Sequence, residues 1–439
     1  MIFTGRLMLL LHAVRFDLPR RGVMNMISAE RLNKQLQTIK NFSAPGRGIN
    51  RLAFTDSDWQ CRRYLIAQMK EAGLSVRTDA FGNVIGRLAG QRDDLPAVMT
   101  GSHGDSVPEG GNYDGIVGIL SAIETIRSMQ EDGFRPIHPI VVVLFMCEES
   151  SRFSAATLGS RAMRGELPAS ELLRLHDAAG KTLHQVLKDR GLDPEHIASA
   201  RYEKPLKAFL EVHIEQGRVL EHDRCQIGIV TGIAAPYRLR CRLHGRADHS
   251  GATPMNLRQD GLCAAAEIIL AVERIAAQCT PPVVGTVGVI NVSPGVMNVI
   301  PGEVQLGIDV RSTAKDARDQ AVETICAEIR RISSQRGIPV NIERISREDP
   351  AVMDPGLVRL LTRTADQLGF SHRCLPSGAG HDSMHWADYT PTGMIFLPCR
   401  DGISHNPAEY ADIRDITVAC RVLSSAVREL ASGETQLPR

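Results

Sequence analysis

Apolar positions along this chain repeat with two different spacings. Residues 28–41 and 57–72 carry them three and four apart, which predicts two amphipathic helices. Ser57 is expected to cap the second helix, and Gly73 falls where a left-handed C-terminal residue is wanted. Strand-like runs follow at 75–79 and 83–88, about a turn at Phe81-Gly82-Asn83. Strands and helices then alternate through His213, which predicts a largely parallel or mixed sheet covered by helices. From Pro236 the pattern changes to a strand (237–243), a helix (257–277), two strands (283–292, 302–311), a helix (314–336) and a strand (339–345). That order, β-α-β-β-α-β, is the ferredoxin-like arrangement. After Asp349-Pro350 the earlier alternation resumes, so a small unit at 235–347 is expected to interrupt an α/β domain made of 28–234 and 348–439. Residues 1–27 read as a disordered or mis-called extension, with Met24 or Met26 as alternative starts. The apolar run 7–11 breaks at His12 and no small-residue cleavage site follows.

Four of the apolar runs end in groups that bind metals. The first, 97–100, leads into GSHGDSVPEGGNYDGIVG (101–118), with His103, Asp105 and Asp114. The run 139–146 ends in Cys147-Glu148-Glu149, and 209–212 ends in His213. The run 396–398 leads through Arg400-Asp401-Gly402 to His405. In open α/β sheets the site lies beyond the carboxyl ends of the strands, so four such endings argue for one centre. Imidazole with carboxylate suits Zn, Mn, Co or Ni. Asp105 is placed to hold His103 from behind. The adjacent glutamates suggest a division of labour in which one ligates and the other handles protons; a solvated charge pair is the plainer alternative.

Bulk properties remove other classes. A net charge of +1 with no basic run gives no general attraction to nucleic acid or anionic membranes. No apolar run approaches the about 20 residues that span a bilayer. Ten cysteines without a Cys-x-x-Cys pair are neither a disulfide framework nor a zinc finger and suit a reducing cytoplasm.

Several blocks together resemble the hydantoinase/carbamoylase amidohydrolases, a branch of the dinuclear-metal aminoacylase and carboxypeptidase clan. They are GSHGDSVPEGGNYDG, CEESSRF with LGSR, EVHIEQG, GRADHSGATPM, the stretch from Asn298 through IPGEV to DVRS, GAGHD and GISHNPAE. The resemblance runs from about Glu30 to the C-terminus. It implies one divalent ion on His103 and His213, a second on Glu149 and His405, and Asp114 bridging them. It also implies Glu148 as general base and then acid, and Gln216, His249, Asn298, Arg311 and His381 as substrate contacts, with His249 also stabilising the oxyanion. Arg311 would clamp a substrate carboxylate. The interrupting unit would act as a lid and form a homodimer. Ser150, where many relatives have Gly, and Gly104, inside the His-x-Asp motif, depart from the pattern without removing a ligand.

The reading that follows is hydrolysis of the ureido C–N bond of N-carbamoyl-L-amino acids to amino acid, ammonia and carbon dioxide. Allantoate, ureidopropionate or another N-acyl amino acid are the alternatives. An amidase using Cys147 or a serine as nucleophile lacks an evident Lys–Glu partner arrangement. A metal-stabilised scaffold would not need Glu148.

Overall fold

The computed structural model describes residues 27–433, and most of the predicted N-terminal extension lies outside them. Among these residues thirteen strands form two sheets. In chain order they are β1 (Ser75–Thr78), β2 (Val84–Leu88), β3 (Ala97–His103), β4 (Ile140–Phe145), β5 (Leu206–Ile214), β6 (Ile227–Ile233), β7 (Ala235–His244), β8 (Val284–Ser293), β9 (Glu303–Ser312), β10 (Val340–Arg347), β11 (Ala351–Val352), β12 (His372–Ser377) and β13 (Thr392–Leu397). The large sheet runs β1-β2-β4-β3-β5-β13-β6-β11, with β12 also paired to β6. It is mixed. β4, β3, β5 and β13 are parallel neighbours, whereas β13 meets β6 antiparallel. Every residue of β3, β4 and β13 is buried, as expected of strands covered on both faces.

Local chemistry explains the boundaries. Helix Ala29–Ile39 starts where Ser28 accepts from Arg31 N at 3.2 Å. Helix Asp56–Glu71 starts one residue before the expected 57, and its cap lies two residues before the expected one, because Thr55, not Ser57, supplies the capping oxygen. Gly73 has φ +86° just past that helix. The helix Ile116–Glu131 is buried nearly throughout. It packs on the sheet beside the C-terminal helix Ile413–Ala431, which itself also touches β5 and β13. The main difference from the predicted strands is their length. His103 and His213 lie inside β3 and β5 rather than beyond them.

The second sheet, β10-β7-β9-β8, is antiparallel throughout. With helices Gly261–Ala277 and Lys315–Gln335 it encloses a separate apolar cluster that includes Leu239, Leu306, Ile308, Ile268 and Ile325. The chain leaves the large sheet at Ile233 and re-enters it at Ala351, which pairs with Ile233. The two crossings therefore lie side by side. Among the described residues no helix is long and apolar enough to cross a membrane.

Candidate functional site

Because β4, β3, β5 and β13 run parallel side by side, their carboxyl ends share one edge of the large sheet. His103 ends β3 and His213 is the last residue but one of β5. Glu148 and Glu149 follow β4, and His405 follows β13. Asp114 sits in the loop before Ile116–Glu131. Its Oδ1 lies 3.2 Å from His103 Nε2 and 3.1 Å from His213 Nε2. Its Oδ2 lies 3.4 Å from His405 Nε2, which is itself 3.3 Å from Glu149 Oε1. Two donor groups result, His103/Asp114/His213 and Asp114/Glu149/His405, and Asp114 belongs to both.

The imidazoles are oriented from behind. Asp105 O lies 3.1 Å from His103 Nδ1, and Ile214 O lies 3.0 Å from His213 Nδ1. A carbonyl can only accept, so each Nδ1 carries its proton and donates. Each Nε2 lone pair then confronts a carboxylate oxygen at hydrogen-bond range. Two acceptors at that separation need a cation between them, either a proton or a metal ion. The donor set thus fits divalent metals of the Zn, Mn, Co and Ni type.

Asp105 does hold His103, but through its backbone carbonyl. Its carboxylate accepts instead from the backbone N–H groups of Glu148 (3.2 Å) and Glu149 (3.1 Å). It therefore fixes the paired glutamates relative to the histidine. Glu409 plays the matching part on the other side. Its Oε1 accepts from Tyr113 N and Asp114 N, and its Oε2 accepts from Ser404 Oγ. Glu409 stands in the GISHNPAE block, and sequence reasoning assigned it no role.

Charge follows this packing. Burial opposes ionisation of Asp114, yet His213, His103 and His405 hold its carboxyl well below the usual range. Hydrogen bonds to Asp114 and Glu149 push His405 up to about 10. His103 is also raised, its carboxylate neighbours outweighing burial. Burial pushes Glu148 well above the usual glutamate range; His103 opposes this, and Glu149 and Asp382 add to it. Such a carboxyl is suited to proton transfer near neutral pH. Cys147 is fully buried, which drives its thiol well above the ordinary range, so it is unsuited to act as a thiolate nucleophile.

A cavity of about 680 Å³ opens over these groups. The large sheet contributes His103, Asp114, Glu148, Glu149, His213 and His405 to its wall, and the small sheet contributes Arg238 and Arg311. Gln216 also lines it and donates to Asp114 Oδ2 at 2.7 Å. His381 packs its ring 4.5 Å from that of His213 and pairs with Ser377 Oγ at 2.9 Å. Arg311 is already engaged: Nε and Nη2 donate to Asp309 at 2.7 and 3.3 Å, and Nη1 donates to Gly378 O at 3.0 Å. One N–H remains on each Nη. His249 and Asn298 do not line the cavity. They sit together on the small unit, both exposed, where Ser250 N donates to Asn298 O. His249 Nδ1 accepts from Gly251 N and Ala252 N, which places the ring proton of a neutral His249 on Nε2.

Sequence reasoning also missed Thr157, His385 and Glu166. Thr157 and His385 line the cavity, with Thr157 Oγ1 2.8 Å from His385 Nε2, and His385 Nδ1 is 3.1 Å from Oε2 of Glu166 behind it. No spacing rule joins positions 157 and 385; only the tertiary structure does.

Comparison with known proteins gives concordant matches. Residues 99–429 match the sequence profile of peptidase family M20/M25/M40. An N-carbamoyl-L-amino acid amidohydrolase of Geobacillus stearothermophilus is 41% identical over 411 residues, covering 93% of this chain and 100% of that one. An allantoate amidohydrolase of Bacillus subtilis (strain 168) is 35% identical over 389 residues, covering 89% and 94%. The crystal structure of an amidase of the hydantoinase/carbamoylase family from Burkholderia multivorans superposes with a TM-score of 0.87 at 36% identity, covering 93% and 98%.

Proposed function

The chain belongs to peptidase family M20/M25/M40 and, within it, to the hydantoinase/carbamoylase amidohydrolases; on that premise we propose that it hydrolyses the ureido C–N bond of N-carbamoyl-L-amino acids with two divalent metal ions. The observation that carries this reading is Asp114, which offers one oxygen to each of two donor groups in a cavity that also holds Glu148. His103 and His213 would hold one ion and Glu149 and His405 the other, with Asp114 belonging to both groups. Two such ions supply Lewis-acid polarisation of the carbonyl and a more acidic water.

The remaining work falls to the chain. Glu148 takes a proton from the attacking water and returns it to the leaving nitrogen. Arg311 holds the substrate carboxylate on its two remaining N–H groups, and Gln216 and His381 border the substrate. His249 presents Nε2–H to the developing oxyanion, with Asn298 beside it. Both stand outside this chain's own cavity, so closure of the 235–347 unit, a ferredoxin-like lid, or the same unit of a second copy must deliver them. A homodimer through that unit is part of the proposal. Allantoate is the second reading, favoured by the relative that bears its name.

The test is a substrate panel (N-carbamoyl-L-amino acids, allantoate, ureidopropionate) run on chelated protein and on protein reloaded with Mn, Co, Ni or Zn. Activity is expected only after reloading, with ammonia and free amino acid as products. Full turnover by protein shown to be metal-free would defeat the reading.

A further inference from the structure

The roof of the cavity holds a second guanidinium that the reading above leaves without work. β7 and β9 are antiparallel, with Arg238 opposite Asp309 and Pro236 opposite Arg311. Directly paired residues share a sheet face, and so do residues two apart along a strand. Arg238, Asp309 and Arg311 therefore stand on one face, and both arginines line the cavity. A single carboxylate serves them both. Arg238 Nε donates to Asp309 Oδ2 at 2.9 Å, and Arg311 takes the same carboxylate through Nε and Nη2. Asp309 therefore neutralises only one of the two guanidinium charges.

Among the described residues the rest of the wall does not engage the Nη groups of Arg238. Arg161 also borders the cavity, but Glu171 engages it through both oxygens, at 3.1 and 2.8 Å. Glu348 also lines the cavity and offsets the charge, but among the described residues it forms no ion pair with Arg238. Arg238 is thus anchored at Nε, while its Nη groups have no protein acceptor among the described residues. A guanidinium held at one edge and open at the other is a preorganised receiver for a carboxylate.

We propose that Arg238 determines specificity by receiving the side-chain carboxylate of an N-carbamoyl dicarboxylic amino acid, beside the α-carboxylate held by Arg311. The proposal rests on the carbamoyl-hydrolase reading and names its substrate class. An aspartate- or glutamate-type substrate carries its two carboxylates a few bonds apart, which matches two guanidinium groups held side by side by one carboxylate.

The experiment compares kcat/KM of metal-loaded enzyme on N-carbamoyl-L-aspartate and N-carbamoyl-L-glutamate with that on the isosteric N-carbamoyl-L-asparagine and N-carbamoyl-L-glutamine. The wild type is expected to prefer the acids by about tenfold or more, the usual worth of a hydrogen bond to a charged group. Arg238→Gln should remove that preference by lowering kcat/KM on the acids alone, while Arg238→Lys keeps part of it. Equal losses on acid and amide would make Arg238 a mere support for Asp309 and overturn the proposal. So would a wild type that does not distinguish acid from amide while cleaving neutral N-carbamoyl amino acids; that outcome leaves the parent reading standing. A metal-loaded wild type that cleaves no N-carbamoyl amino acid overturns both.

Discussion

Glu148 and Glu149 are neighbours in sequence, are tied by backbone N–H to the same Asp105 carboxylate, and face different tasks. Glu149 lies against His405, whereas Glu148 Oε2 stands 4.0 Å from His103 Nε2. Glu148→Gln is expected to keep both metals and lose turnover by about 10²–10⁴. Glu149→Gln should lose one metal, because a neutral donor replaces a charged one. Metal content by elemental analysis separates the two, and equal metal loss in both would reverse the assignment. Arg311→Ala should lower kcat/KM about tenfold to over a hundredfold on carboxylate substrates, from about 1.5–3 kcal/mol for a bond to a charged group. Carboxamide analogues should be cleaved poorly by wild type and variant alike, so an equal fractional loss on both would make Arg311 structural. His405 has a definite pH signature. Its metal-free value lies near 10, above the ordinary 6.5. The stability it lends the metal-free protein is therefore complete below about 6.5 and lost as pH rises through about 10. Metal uptake displaces that proton, so apparent metal affinity should climb with pH across the same window, with protons released on titration. An affinity flat in pH would contradict the assignment. At this scale the five candidate metal donors were legible because four follow apolar runs and Asp114 stands in the Gly-rich loop after the first of those runs. Of the supporting carboxylates, Asp105 was legible as a support though not in what its carboxylate holds, and Glu409 was not, since it has no spacing relation to the group it holds.

Loops position these side chains, and glycine sets how close they come. Gly115 has φ +65°, and a Cβ there would lie 2.5–2.6 Å from the His103 ring. Gly115→Ala is expected to displace His103 and lower metal content, with the helical signal in far-UV circular dichroism unchanged. A variant that binds both metals normally would show the loop has slack. Periodicity located ten of the thirteen strands within a few residues, because buried strands and amphipathic helices leave different spacings. It gave no range for β6, β11 or β12, nor for the helices Ile116–Glu131, Pro355–Leu368 and Ile413–Ala431. It was weaker at caps, where Ser57 and Thr55 are equally good candidates and tertiary position chose Thr55. It failed on Arg238. In β7 the arginines at 238, 240 and 242 alternate with apolar residues as on any solvated sheet face. Only the placement of the small sheet over the cavity distinguishes the first of them.

For the whole molecule, metal and fold are thermodynamically linked. Ions that bind only the folded state stabilise it by about 2.7 kcal/mol each at a hundred times their dissociation constant. Chelated protein should therefore melt several degrees below reloaded protein in scanning calorimetry, and coincident transitions would show that the donors do not hold metal. The strand order has a further consequence, for synthesis. β13 lies between β5 and β6 in the sheet, but it is among the last parts of the chain to be made. Translation at about 5–20 residues per second takes on the order of ten to forty seconds to pass from Ile214 to Thr392. For that interval β5 and β6 present unpaired edges on the ribosome, and His405 does not yet exist. A chain that stops before His405 can offer at most the His103/Asp114/His213 group, so the complete donor set marks chains made at least that far.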